Sequence, residues 1–335
     1  MGKAAWKTAP ARKWLTFHRL FDPAEGVTVL EPPGTGEGFW AGAPSAMYDG
    51  EAGLFYLSYR LRRPGERGFA TRVAKSPDGV HFTDVWSGPR EAFDSPSIER
   101  SALIRTPEGR YLLYVSYVDG SDNRWRIDAL EAEAPDGFDP SARRPVLQPD
   151  DIDSEGVKDP WVMLLDGVYY LFVGYGPRDS IAPGADVREL HRTGDIFITR
   201  KISHPSGLAT SRDGLRYRWR GEVIRPGSGW DSIASRVSCV LYLPPVFHVF
   251  YDGRQGFRDT YEDRTGLAVS LDLMNFQRVT ERNPLLSSPW GSGSLRYLDA
   301  VPIGDSIRYY YECARPDGSH ELRTNLVHLK DHTTH

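Results

Sequence analysis

The stretch EGVKDPWVMLLDGVYYLFVGYG, residues 155–176, holds two apolar runs either side of Asp166-Gly167. An Asp-Gly step between β-rich runs is a hairpin signal, because the turn needs residues that tolerate positive φ. Lys158 and Asp159 stand immediately before the first run, followed by Pro160. They read as an ion pair at the strand entry: either a solvated loop end, or the end of a strand that faces something requiring charge.

The hairpin recurs. Runs ending in tyrosine close at Tyr59 (GLFYLSY), Tyr117 (RYLLYVSY), Tyr175 (VYYLFVGY), Tyr251 (VFHVFY) and Tyr311 (IRYYY). The first two spacings are both 58 residues, and the later ones are 76 and 60. Each run follows another apolar run across a short turn, and each precedes a third strand-like segment. A shared turn then returns as SPDGVHF (76–82), SRDGLRY (211–217) and SLDLMNF (270–276). Self-similarity at this period, with four short strands per unit, predicts a propeller. The expected fold is all-β: one five-bladed β-propeller over residues 1–335, with four-stranded antiparallel blades at about 40–95, 96–150, 155–230, 231–290 and 291–330. The last unit shows three strands, so an N-terminal strand at 13–20 is expected to join it and close the ring. No amphipathic helix of ten residues stands out. Residues 177–194 form an extra segment in the third unit, of a length common in lids and partner surfaces.

Composition narrows the class. The 335 residues are 40% hydrophobic and 26% charged, as in ordinary globular chains. A net charge of −4 gives no case for nucleic acid. No run of about 18 apolar residues could span a membrane, and no signal peptide is evident, so a cytoplasmic location is expected. Cys239 and Cys313 each lie in an apparent strand and read as buried free thiols rather than a disulfide. The 9 histidines show no metal-ligand spacing, and PGTGEG (33–38) lacks the ending of a phosphate loop. No metal and no cofactor are expected. Oligomeric state is left open.

In a propeller the innermost strands line the axis. Their entries concentrate charge: Glu99, Arg100, Lys158, Asp159, Arg236, Arg296 and Asp299. The ends of the second strands add Arg60, Asp119, Asp252 and Glu312. One hairpin turn separates the two sets from the opposite end, so both are expected at one mouth. For any single residue the plain alternative is an ion pair between neighbouring blades. For the recurring tyrosines it is packing between blades, although Tyr251 is kept as a binding candidate. Trp40, after a glycine-rich loop, is expected to stack on a flat ligand.

In architecture the chain resembles the five-bladed propeller glycosidases, a superfamily that includes glycoside hydrolase families 43, 32, 68 and 117 and the mannoside phosphorylases of family 130. KDP at 158–160 resembles the third-blade Asp-Pro motif of the hydrolases. YRLRRP at 59–64 with VAKSPDGVHF, and TGLAVSLDLMNFQRVTERNPLL at 265–286, are similar to segments of the phosphorylases. The resemblance implies a glycosidase-type enzyme, a hydrolase or phosphorylase, whose partners are a small glycoside or sugar conjugate and, for a phosphorylase, inorganic phosphate.

Two departures qualify it. Ala43 stands where the hydrolases carry a first-blade aspartate, and Arg236 stands near their fourth-blade glutamate. A hydrolase needs an acid for the leaving oxygen and a second carboxylate. Asp159 is the carboxylate that survives the comparison, and Glu99, Asp119 and Glu312 are the further catalytic candidates. Trp40, Arg60, Arg100, Lys158, Arg236, Tyr251, Asp252, Arg296 and Asp299 are the binding candidates. The guanidiniums suit phosphate or an anionic sugar. A sugar-binding propeller without turnover, and a lyase or biosynthetic reaction on the same scaffold, stay open as alternatives.

Overall fold

The computed structural model describes residues 21–255 and 263–329. Their regular structure is almost entirely antiparallel strand. Four ladders are continuous in sequence. β2 (Trp40–Asp49), β3 (Leu54–Arg63), β4 (Glu66–Ser76) and β5 (Thr83–Pro89) pair in order. So do β6 (Ile98–Arg105), β7 (Tyr111–Val118), β8 (Trp125–Ala132) and β9 (Arg144–Leu147). β10 (Ser154–Leu165), β11 (Val168–Pro177), β12 (Ser206–Ser211) and β13 (Arg218–Ile224) form a third ladder. β14 (Ala234–Leu243), β15 (Val246–Arg254), β16 (Arg264–Ser270) and β17 (Gln277–Arg278) form a fourth.

The last ladder, β18 (Leu295–Ile303), β19 (Ser306–Ala314) and β20 (His320–His328), takes its fourth strand from the other end of the chain. That strand is β1 (Val27–Leu30), antiparallel to β20 with Thr28 opposite Arg323. The strand expected at 13–20 lies outside the described residues. The last ladder meets the first through a single parallel bridge between Trp40 and His320. The first strands touch in rotation: β2 on β6, β6 on β10, β10 on β14, β14 on β18 and β18 on β2.

The shared turns are built by their side chains. Ser76 Oγ accepts from the amides of Asp78 and Gly79, and Asp78 Oδ1 accepts from Val80 and His81. Ser211 and Asp213 repeat the pattern, as do Ser270 and Asp272. The third copy has Leu273 in place of glycine and adopts the same left-handed φ, 61° against 73° and 72°. The side-chain bonds impose the turn even where a Cβ resists it.

The recurring tyrosines pack outward. Tyr59 donates to Asp84 at 2.7 Å, Tyr117 to Asp128 at 2.8 Å and Tyr311 to Asn325 at 2.6 Å, each on a later strand of its own ladder. Tyr251 does likewise: its ring stacks on Trp230 and its hydroxyl donates to Asp231 at 3.1 Å. Tyr251 is therefore a packing residue, which corrects its place among the binding candidates. Cys239 and Cys313 are buried and unbonded. No described helix is long and apolar enough to cross a membrane.

Between β11 and β12 lies the extra segment of the third ladder, longer than expected, at 178–205. It holds the helix α1 (Val187–Arg192), capped by Asp186.

Candidate functional site

Each first strand carries a bulge near its entry. Gly42 faces Arg60 and Ser45 faces Ser58, so Ala43 and Pro44 share one partner position. The same slip inserts Glu99-Arg100 in β6, Asp159-Pro160 in β10 and Tyr297-Leu298 in β18. β14 slips at Ser238. Ala43, Asp159 and Tyr297 take left-handed φ of 53°, 57° and 52°. None is glycine, so each stores about 1–3 kcal/mol of strain that the surrounding packing holds. A bulge breaks the strand's in-and-out alternation and re-aims side chains. Here the bulges of β6 and β10 carry Glu99 and Asp159, and charged residues beside the other bulges meet them.

Two linked clusters result. In the first, Arg236 joins three carboxylates: Asp159 at 2.6 Å, Asp252 at 3.5 Å and Asp263. Tyr297 also lies in this group, with its hydroxyl 3.0 Å from an Arg236 nitrogen and 3.3 Å from Asp159. Its backbone amide donates to Asp252 at 3.0 Å. In the second, Arg60 bridges Glu99 and Glu312, both at 3.1 Å, and Arg62 lies 3.6 Å from Glu99. Arg296 connects the two, 2.9 Å from Glu312 and 3.3 Å from Asp263. These charged groups are nearly all inaccessible, from 0% exposed at Arg60 to 5% at Arg62.

Such burial separates the carboxyl groups by their neighbours. Burial pushes Asp252 up to about 7; Arg236 opposes this and the Asp263 carboxylate adds to it. Burial also raises Glu99, but Arg60, Arg62 and Lys158 outweigh it and hold the group down at about 2. Glu312 is held well below the usual range by Arg296 and Arg60 against the same burial. Asp263 is lowered by Arg236, Arg254 and Arg296. Burial pulls Arg62 down to about 10, and the neighbouring Arg67, Arg60 and Arg296 add to that, while Glu99 opposes it. The centre thus holds one carboxyl poised near neutrality among others kept ionised, in a crowd of guanidiniums.

The structure gathers Glu99, Glu312, Asp159, Asp252, Arg60, Arg236 and Arg296. These contacts bring strand entries and second-strand ends together at the same end of the ladders. The ion pair between Lys158 and Asp159 that their adjacency suggested does not form. They lie within β10, and alternation and the bulge send Asp159 to Arg236 and Lys158 to Asp195, 3.7 Å away.

Three other candidates lie outside this network, and a fourth, Trp40, is enclosed by its guanidiniums. Asp119 sits in the turn after β7, its carboxylate on Ser121 and Arg126, because β7 ends one residue before it. Arg100 donates to the carbonyls of Pro44, at 2.9 Å, and Ser238, at 2.7 Å. Asp299 accepts from the Ala46 amide and from Trp161 Nε1. These two brace first strands against one another. Trp40 is buried with its ring stacked on His320 at 4.4 Å and Arg62 over it at 4.1 Å, which leaves no open face for a sugar.

Asp263, Arg62, Arg254, Tyr297, Asp195 and His204 escaped the sequence argument. Arg254 lies 3.4 Å from Asp263 and donates to the Phe197 carbonyl at 2.9 Å. The signal for Asp263 was a carboxylate beside the start of a third strand, which only the ladder pairing makes meaningful. Among the described residues no cluster of three His, Cys, Asp or Glu side chains is arranged to hold a metal.

Comparison with solved structures gives the architecture. A glycoside hydrolase superposes with a TM-score of 0.67 at 13% identity, covering 90% of each chain. The two proteins share one fold. A β-1,2-mannobiose phosphorylase from Listeria innocua, in complex with β-1,2-mannobiose, gives 0.60 at 14% identity, covering 91% of this chain and 95% of its own. A glycosyl hydrolase from Bacteroides ovatus gives 0.58 at 12% identity, over 88% and 85%. No family model matches the sequence. The Mycobacterium tuberculosis protein MT1551, which is named as uncharacterised, is 24% identical over 214 residues. That match spans 63% of this chain and 64% of the relative.

Proposed function

We propose that the chain is a five-bladed propeller, with its ring closed by β1, and a glycosidase-type enzyme whose active site is the buried charge cluster. The rotation of first-strand contacts supports the five blades. One observation carries the catalytic reading: Arg236 gathers Asp159 of β10, Asp252 of β15 and Asp263 at the entry of β16 into one buried group. Asp252, protonated near neutral pH, is the acid that gives its proton to the departing glycosidic oxygen. Asp159 is the second carboxylate. In a hydrolase it directs water to the anomeric carbon; in a phosphorylase, phosphate attacks that carbon and needs no protein base. The guanidiniums of Arg62 and Arg296 suit a substrate with an anionic group, or phosphate as the attacking partner.

The test is product analysis on a panel of small neutral and uronic glycosides, with and without inorganic phosphate. The expected result is cleavage of an anionic glycoside by water, or release of a sugar phosphate when phosphate is present. Calorimetric binding of a sugar without any product would replace this with a binding protein. Ala43 and Arg236, which stand at positions where the resembled hydrolases carry carboxylates, motivate that second reading.

A further inference from the structure

The extra segment 178–205 runs outward from β11 and returns at β12. Its apolar side is fixed: Leu190, Ile196, Phe197 and Ile202 pack with Val118 and Trp125 of the neighbouring ladder. Its polar contacts reach further. Asp195 is fully buried, and its carboxylate pairs with Arg67 of β4 and lies 3.7 Å from Lys158 Nζ of β10. It also accepts from Trp125 Nε1 of β8 at 3.2 Å. The Phe197 carbonyl accepts from Arg254 of β15, and its ring stacks on His204 at 3.8 Å. One short stretch therefore touches four of the five ladders, at the bulged ends that carry the charge cluster. Both ring nitrogens of His204 are buried without a hydrogen-bond partner, directly beneath Phe197.

We infer that segment 178–205 is a cap latched across the mouth by Asp195, and that it confines the site to the terminal unit of a glycoside. This rests on the catalytic reading above. The reason is steric. A polymer threaded through an internal linkage needs a groove open at both sides of the reacting bond. Here Asp159, Asp252, Glu99 and Arg236 are at most 3% exposed. A chain end can enter when the cap lifts, and lifting exposes His204 and frees Lys158 and Arg254 to meet it.

Limited digestion of the full chain by trypsin tests the latch. Arg188, Arg192 and Arg200 are exposed on the cap. In Asp195→Asn, and independently in the milder Arg67→Gln, cleavage there should accelerate about tenfold, since proteolysis follows the population of the opened form. Far-ultraviolet circular dichroism should stay unchanged. Equal cleavage rates in wild type and both variants overturn the cap. The size limit is read with polysaccharide panels: wild type should release sugar without lowering viscosity, and Arg67→Gln should gain on longer chains relative to aryl glycosides. A rapid fall in viscosity with wild type overturns terminal-unit action. If no glycoside of any size reacts, the catalytic reading fails, and the cap is judged by the digestion alone.

Discussion

Asp252 and Glu99 answer pH in opposite directions because their neighbours differ. Asp252 is raised in the fold to about 7 from 3.8. Its contribution to stability is full below pH 3.8 and is lost as pH rises through 7. Asp252→Asn keeps the neutral form, so urea denaturation should find it more stable than wild type at pH 8, with the difference gone below pH 4. Glu99 is lowered to about 2 from 4.5. Its contribution is present above pH 4.5 and lost as pH falls through 2, and linkage puts it at roughly 3 kcal/mol. Glu99→Gln should therefore cost about that much at pH 6 and progressively less below pH 4.5. In kinetics, the proposed acid role of Asp252 places the alkaline limb of kcat/KM near pH 7. A rate that stays flat from pH 5 to pH 9 would remove Asp252 from that role.

At the scale of the element, the bulge is what separates this chain from a plain set of hairpins. Ala43 sits at φ 53° without the freedom of glycine. Ala43→Gly should stabilise by up to about 1 kcal/mol, and Ala43→Val should destabilise by about 2 kcal/mol or more, since a β-branched side chain fits that φ poorly. Thermal or denaturant midpoints check both. The hairpins themselves were legible because their signals are local: Asp166-Gly167, the tyrosine runs and the Ser-x-Asp turns lie within a few residues of each other. Bulge partners are not local. Arg236 meets Asp159 across 77 residues and Tyr297 across 61, so adjacency in sequence suggested the wrong partner for Asp159. Trp40 misled for the same reason: its glycine-rich flank says nothing of His320, which arrives from the far end of the chain.

Over the whole molecule, the proposed ring depends on β1. It supplies the outer strand beside β20, with Val27 opposite Thr324, Thr28 opposite Arg323 and, after a one-residue slip, Leu30 opposite Leu322. Replacing Thr28 and Val29 together by proline removes ladder donors and leaves β20 as an open edge. A lower melting temperature and increased light scattering are expected; an unchanged melt would mean that β1 is dispensable to the ring. The proposed function stands or falls with chemistry at the buried cluster. It is tested most directly by comparing product formation from the reactive glycoside by wild type and by Asp252→Asn, each shown folded, at pH 6. A loss of roughly a hundredfold or more is expected in Asp252→Asn. Turnover at the wild-type rate in that variant would contradict it.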